Sequence, residues 1–338
     1  MNGLPSKILI ISEVGSTHDG SFGIAKNLIK ATADCGADSV KFQTHIAEAE
    51  TLKNAPMPPY FKGEPRYEYF KRTAFTRTQW EELKLFSENL GLDFLSSPFS
   101  LEAVALLEDI GIKKYKIPSG EVTNVPLLEE TARTGKPVLL SSGMSSWDDL
   151  DRAVNTILKH HDKIVVMQCT SEYPCPYKEV GLNVMQEMRE RYQLPVGLSD
   201  HTLTNYASYT AASLGAVVIE KHFTLSRRMY GSDAQHSLEP DQMSDMVNGI
   251  RAIEVMLTSK VNKNDSRKFS EMKNIFEKSI VSIVEIPADT LITQEMIGYK
   301  KPGTGIPAAD SHKVLGRVTA RFIDKNSLIQ ETDLQADQ

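Results

Sequence analysis

Cysteine is scarce in this chain: Cys35, Cys169 and Cys175 are the only three in 338 residues. An odd, widely spaced set rules out a disulfide framework and fits a reducing compartment, the cytoplasm. Long apolar runs are missing too. None approaches the ~20 residues that a membrane span needs, and Met1–Lys7 lacks the basic start and apolar run of a signal peptide. Positive charge is in deficit, with 38 Lys and Arg against 44 Asp and Glu and a formal net charge of −6. Without a cationic excess to neutralise phosphates, the composition argues against nucleic acid as a partner. Disorder is equally disfavoured: 41% hydrophobic content can bury one large core and a second small one.

What is present is alternation. Short Val/Ile/Leu-rich runs predict strands at Lys7–Gly15, Ser39–Thr44, Asp93–Phe99, Lys113–Ser119, Pro137–Gly143, Ile164–Thr170, Pro195–Asp200 and Val217–Phe223. Helical patterns follow each one: Ile24–Asp34, Thr78–Asn89, Leu101–Asp109, Pro126–Thr134, Trp147–His160, Val184–Tyr192, Tyr206–Leu214 and Asp241–Leu257. The strands are apolar throughout, as parallel strands covered on both faces are. Glycines such as Gly36 and Gly215 stand at helix ends, and Ser100 and Ser146 at helix starts. Eight β/α units predict an α/β fold, a (β/α)8 TIM barrel over residues 1–258. The rival, an open doubly wound sheet, lacks its Gly-rich first turn here. One connection, His45–Arg77, is long and carries Pro56, Pro58, Pro59 and Pro65 among Tyr60, Phe61, Tyr67, Tyr69 and Phe70, the make-up of an active-site lid. Residues 259–274 read as a polar linker. Residues 275–338 read as a small β-rich domain, with strands at Ser279–Ile286, Val314–Ile323 and Ser327–Ile329 and a turn in Gly298–Gly305.

Chemistry in a barrel sits at the C-terminal strand ends. Here those ends are polar: Glu13; Lys41 and Gln43; Ser96 and Ser97; Lys116, Ser119 and Glu121; Ser141 and Ser142; Gln168 to Ser171; Ser199 to Thr202; Glu220 to Thr224. Apolar strands ending this way leave unsatisfied groups unless a wet pocket lies there. Lysines and hydroxyls suit an anionic ligand, and carboxylates suit proton transfer or a hydroxylated ligand. His201 and His222 fall at equivalent places on neighbouring strands ~4.8 Å apart, within reach of one divalent metal; the alternative is that each is a satisfied core histidine. Lys41 and Lys116 read first as anion clamps, with a Schiff-base nucleophile and a rim charge as alternatives. Strand alternation turns Lys221 away from the pocket. The stiff loop Tyr173–Tyr177 either positions Tyr173 over a substrate or is a rigid turn, Cys175 lacks a basic partner, and Asp233 either binds sugar hydroxyls or caps a turn.

In their order these motifs resemble the sialic acid synthase family, the N-acetylneuraminate and nonulosonic acid synthases. The segments are Ile11–Gly15 with His18-Asp19-Gly20, Lys41–Thr44, Ser97–Ser100, Tyr115–Glu121, Ser142–Met144, Cys169–Pro174, Gly197–Thr202, Glu220–Thr224 and Lys301–Gly305. The resemblance implies a barrel followed by an antifreeze-like (SAF) domain that crosses to the partner subunit of a domain-swapped homodimer. It implies metal-dependent condensation of phosphoenolpyruvate with an N-acylated hexosamine, releasing phosphate. By motif, His201 and His222 hold Mn or Mg. Lys41, Ser97, Lys116, Ser119, Ser171 and Ser199 hold phosphoenolpyruvate. Glu13, Tyr173, Glu220, Asp233 and Lys301 contact the sugar, with Glu13 or Glu121 as the base and Lys116 in catalysis. Three features depart from the pattern: Lys301 replaces the usual Arg, Ser97 and Ser171 replace the Thr and Asn of relatives, and the loop Gly231–Pro240 differs. The rivals are a Schiff-base pyruvate aldolase acting through Lys116, a metal-dependent barrel hydrolase, and a non-catalytic sugar-binding protein.

Overall fold

The computed structural model describes residues 7–56 and 63–336. They divide into two compact units, one ending at Ser259 and the other beginning at Lys260. Pro58, Pro59, Tyr60 and Phe61 of the predicted lid lie outside the described residues.

The first unit is a closed barrel of eight parallel strands in sequential order: β1 (Leu9–Gly15), β2 (Ser39–Thr44), β3 (Asp93–Pro98), β4 (Tyr115–Ile117), β5 (Val138–Ser141), β6 (Ile164–Cys169), β7 (Val196–Asp200) and β8 (Val218–His222). β8 closes onto β1, with Glu13 level with His222. The helices are α1 (Phe22–Asp34), α2 (Ala47–Glu50), α3 (Arg66–Thr73), α4 (Arg77–Asn89), α5 (Leu101–Asp109), α6 (Val125–Arg133), α7 (Trp147–Leu158), α8 (Leu182–Tyr192), α9 (Tyr206–Ser213) and α10 (Pro240–Thr258). The short helices α2 and α3 add to the eight that periodicity predicts. They lie in the long β2–α4 connection, where helices of four and eight residues are too short for a 3.6 period to register. Ser100 and Ser146 cap α5 and α7 as expected, each accepting a backbone N–H from the third residue on.

Two apolar layers hold the barrel. One fills its interior with Ile11, Leu95, Leu139, Met167 and Val218; the other packs strands against helices. Side chains alternate along a strand, so a step of two residues from each interior residue toward the C-terminal end stays inside. Those steps land on Glu13, Ser97, Ser141, Cys169 and Glu220. The barrel thus changes from apolar to polar within one layer, and that change locates the site.

In the turn after β1, His18 is buried against Phe42 and Phe75, and its Nδ1 accepts the Gly20 N–H at 3.0 Å. Burial, then the nearby His45, lowers its pKa to about 4. The unfolded chain therefore binds a proton there that the folded one refuses. The stability due to neutral His18 is complete above pH ~6.5 and lost as pH falls through about 4, up to roughly 3 kcal/mol. Urea titrations at pH 7 and pH 5 should show a steeper loss for the native chain than for His18→Asn.

In the second unit, α11 (Ser270–Phe276) stands in the stretch read as a linker, and β9 (Ser279–Ser282) pairs antiparallel with β10 (Ile297–Lys300). The sequence reading missed β10, because it assigned Gly298 to a turn that begins only at Lys301. Val314–Ile323 is not a strand: isolated bridges at Val318, Thr319 and Ile323 replace a ladder, and Gly316 breaks extension with φ 79°. The unit has its own core, built from Ile280, Ile286, Ile292, Ile297, Val314 and Ile329. Ser279 ties down the Pro-Gly-Thr-Gly turn, donating to the Pro302 carbonyl at 2.7 Å and accepting the Gly305 N–H at 2.9 Å. The Lys301 ammonium lies 4.8 Å from the Phe276 ring centroid.

Candidate active site

At the C-terminal end of the barrel, two lysines and two glutamates form a buried ring. The Lys41 Nζ lies 2.8 Å from Glu13 Oε2, 3.5 Å from Glu220 Oε1 and 3.3 Å from Ser97 Oγ. The Lys116 Nζ donates to Glu220 Oε1 at 3.1 Å, and Ser199 donates to the same oxygen at 3.3 Å. All four charged side chains are at most 5% exposed. Burial works against the charge on Lys41, but Glu13 and Glu220 outweigh it and raise its pKa. Burial, countered only in part by Lys41 and reinforced by Glu220, raises that of Glu13. Against the same burial, Lys116 and Lys41 hold Glu220 below the usual carboxylate range. Lys41 is therefore a fixed cation, and Glu13 is the member best suited to gain or release a proton.

Beside the ring, His201 and His222 have ring centroids 5.4 Å apart. The Thr170 carbonyl, 2.7 Å from His201 Nδ1, takes the hydrogen of that nitrogen and leaves the lone pair on Nε2, 3.2 Å from the Tyr173 hydroxyl. Burial holds His222 well below the usual imidazole range, and its buried Nδ1 has no hydrogen-bond partner. Burial works against charge on His201 as well, but Cys169, whose Sγ lies 4.0 Å from His201 Nδ1, and the Thr170 carbonyl outweigh it and raise its pKa. The neutral imidazole of His222, and that of His201 once it has released its proton, offer ring-nitrogen lone pairs that fit a divalent cation. Among the described residues no group of three or more His, Cys, Asp or Glu side chains is arranged to hold a metal. Asp200 is turned to the helix side of β7, where it pairs with Lys221 at 2.7 Å; alternation thus removes both from the pocket.

On the opposite wall, Ser119 and Ser171 approach the backbone of Gly143 so closely that a Cβ there would lie 2.4 Å from each hydroxyl oxygen. Glycine at 143 keeps this two-hydroxyl cradle open, and Ser141 Oγ stands 3.1 Å from that of Ser119. Across the mouth, the half-buried Asp233 carboxylate accepts both the N–H and the hydroxyl of Ser16 at 2.8 Å. Gly15, at φ 53°, makes that approach possible, since a Cβ there would sit 2.4 Å from Asp233 Oδ2. A cleft of about 670 Å³ opens above, lined by Ser119, Ser171, Tyr173, His222 and Asp233 and by the aromatic wall of Tyr69, Phe70 and Phe99.

The structure therefore brings together Glu13, Lys41, Ser97, Lys116, Ser119, Ser171, Tyr173, Ser199, His201, Glu220, His222 and Asp233. Tyr173 stacks on His201 at 4.1 Å, so its loop does position it over the site. Glu121 stands apart from the ring: its Oε2 accepts from Asn124 at 2.7 Å, and it does not line the cleft. Lys301 belongs to the second unit. Three site residues escaped the sequence reading as candidates: Gln43, His45 and Cys169. The signal was available, because Gln43 in β2 and His45 just past its end follow Lys41 in steps of two, and Cys169 follows Met167 in the same way.

The profile of the NeuB family matches residues 28–262. The chain belongs to the NeuB family. Its relatives in that family include N,N'-diacetyllegionaminic acid synthase of Campylobacter jejuni, 37% identical over 96% of this chain and 99% of the relative. The human N-acetylneuraminate-9-phosphate synthase is 31% identical over 95% of this chain and 91% of its own length. Among solved structures, the N-acetylneuraminic acid synthetase of Leptospira borgpetersenii serovar Hardjo-bovis, in complex with citrate, matches with a TM-score of 0.70 and 28% identity over 79% of this chain and 90% of that one. The family resemblance read from the motifs thus holds, and the closed barrel is the fold it implied. No helix among the described residues is long and apolar enough to cross a membrane.

Proposed function

We propose that this NeuB-family chain condenses phosphoenolpyruvate with an N-acylated hexosamine resembling N-acetylmannosamine, forming a nine-carbon 2-keto sugar acid and releasing phosphate. The observation that carries the reading is the buried ring of Lys41, Lys116, Glu13 and Glu220 beneath His201 and His222. A small dianionic or trianionic substrate needs fixed cations in a dry place, and Lys41 and Lys116 supply two. Ser97, Ser119, Ser171 and Ser199 supply hydroxyl donors around them. Asp233, Glu220 and Tyr173 offer acceptors and a ring face to a sugar.

In this reading the methylene carbon of phosphoenolpyruvate attacks the aldehyde carbon of the open-chain sugar. The cationic carbon left behind takes up water, and the tetrahedral intermediate expels phosphate. Lys41 and Lys116 stabilise the phosphate and carboxylate charges, and Glu13, with its raised pKa, accepts the proton of the water. Glu121, hydrogen-bonded to Asn124, is the weaker candidate for that role. A divalent cation, Mn or Mg, would be held by His201 Nε2 and His222 Nδ1, and when bound would supply Lewis acidity toward the aldehyde oxygen. The reading includes a homodimer in which Lys301 reaches the sugar from the C-terminal unit of a partner copy, as a point charge rather than a planar fork.

The test is phosphate release from phosphoenolpyruvate across a panel of N-acylated and plain hexoses, with Mn and with chelator. Chelator-sensitive release with an N-acylated sugar supports the reading. Release that survives the chelator, with borohydride trapping of a Lys116 adduct, would replace it with aldolase chemistry. Within the same assay, Gly143→Ala should push apart the Ser119 and Ser171 hydroxyls. Losing one such bond to an anion predicts a KM for phosphoenolpyruvate raised roughly 10- to 100-fold, with the sugar KM little changed.

A further inference from the structure

The Glu13 carboxylate is held from a direction that the proposed reaction leaves unexplained. Its Oε1 accepts from Gln43 Nε2 at 2.7 Å. The other end of that amide, Oε1, lies 3.1 Å from His45 Nε2. His45 Nδ1 in turn lies 2.9 and 3.0 Å from the two oxygens of Glu50. Four side chains thus run in sequence from the end of α2 to the buried ring. The His45 and Glu50 side chains are only 8% and 4% exposed. The imidazole is sandwiched by Phe70 on one face, centroids 3.8 Å and planes 10° apart, and Phe99 on the other, 4.2 Å and 26°.

Donor and acceptor accounting gives the chain a direction. In its charged form the Glu13 carboxylate can only accept, and the Gln43 NH2 faces its Oε1. The Gln43 carbonyl oxygen is then the group presented to His45, and a carbonyl only accepts. His45 Nε2 must therefore carry a hydrogen. The two Glu50 oxygens on Nδ1 complete the accounting when one further proton lies between Nδ1 and that carboxyl group, and a ring face against each side of the imidazole holds the ring in place.

We propose that Glu50 and His45 act through Gln43 as a positioning relay that fixes the Glu13 carboxylate beside Lys41, and so serve the rate of the reaction rather than substrate binding. The proposal rests on the synthase reading for its kinetic consequence and on geometry alone for its hydrogen-bond order. Covalent ¹⁵N labelling of histidine reads the second part directly in the resting full-length chain. A hydrogen on His45 Nε2 is expected, and an Nε2 without hydrogen overturns the relay whether or not the chain releases phosphate.

The kinetic part is read by a double-mutant cycle. His45→Leu and Gln43→Leu should each lower kcat by about 10²-fold while leaving both KM values within about threefold. Together they should cost no more than either alone, because both break one relay. His45→Gln, which retains an N–H toward Gln43, should recover most of the rate, and Glu50→Gln should fall between. Multiplying losses, or an effect confined to the sugar KM, would overturn the relay and make His45 a wall of the cleft. A native chain that releases no phosphate with any sugar counts against the synthase reading, and the nitrogen spectrum then judges the hydrogen-bond order by itself.

Discussion

Lys41→Met is expected to destabilise the barrel by roughly 3–5 kcal/mol, the cost of breaking a buried ion pair from one side, and to bring phosphate release to background. The methionine side chain is close in volume, so packing is kept and the loss isolates the charge. Among the described residues, Lys41 is the one cation that touches both Glu13 and Glu220. Without it, Lys116 still answers Glu220, but Glu13 faces a second buried carboxylate with Gln43 alone, among the described residues, as donor. Its pKa, already raised by burial, must rise further. A raised carboxylate pKa means that the folded state binds a proton more tightly than the unfolded one. Stability of the variant should accordingly be best below the ordinary Glu pKa and decline as pH rises through the raised value. Urea titrations from pH 5 to pH 8 should show the gap to the native chain widening with pH, and Lys41→Met with Glu13→Gln should close part of it. A gap below about 1 kcal/mol at every pH, the scale of an exposed pair, would show that the ring does not carry the charge balance assigned to it.

His201→Ala is expected to abolish both bound divalent metal and turnover while leaving the fold intact. The ring of His201 makes three polar contacts, with the Thr170 carbonyl, the Cys169 thiol and the Tyr173 hydroxyl, and stacks on Tyr173. These contacts link the ends of β6 and β7, but the ladder between the two strands is made by backbone groups and does not depend on them. With one imidazole gone, His222 is the sole neutral nitrogen donor left of the pair, too few to retain a labile cation. Metal content by elemental analysis, phosphate release, and near-ultraviolet circular dichroism on the same sample separate the outcomes. Loss of metal and rate with an unchanged spectrum is the expected result. Full metal content with an intact rate would remove His201 from the ligand set.

The two predictions draw on different kinds of legibility. Lys41, Lys116, Glu13 and Glu220 could be nominated from sequence because each ends an apolar strand, where a polar side chain is conspicuous. Their mutual pairing could not, since Lys116 and Glu220 lie far apart in the chain and meet only across the barrel interior. Asp200 shows the complementary error. It stands beside His201 in sequence and looks like part of the same cluster, yet a single residue step on a strand turns it to the opposite face, against Lys221. Gln43 was noted only as a polar group near the end of β2 and His45, just beyond that strand, was passed over, because neither an amide nor a histidine carries a charge pattern of its own. Their significance comes from Phe70 and Phe99, which arrive on other elements, and from Glu50 on a helix of four residues.

In the second unit the sequence misled where periodicity was weakest. Val314–Ile323 alternates well enough to suggest a strand, but Gly316 turns the backbone, and its partners reach it one bridge at a time. β10 was hidden by Gly298, which serves within the ladder because a Cβ there would meet the Ile283 side chain at 2.5 Å.

By itself, the sequence determined the eight-fold alternation, the placement of polar groups at the strand ends, and the motifs that mark the NeuB family. Local pattern suffices for these, because strand and helix periods and cap residues act within a few positions. Only the tertiary structure decided which carboxylate answers which lysine, that Gly143 holds open a two-hydroxyl cradle, and that a buried histidine and glutamate stand behind Glu13. Closure of the barrel sets those contacts, for it brings side chains distant in the chain within hydrogen-bond range, where burial makes each charge dependent on its neighbour.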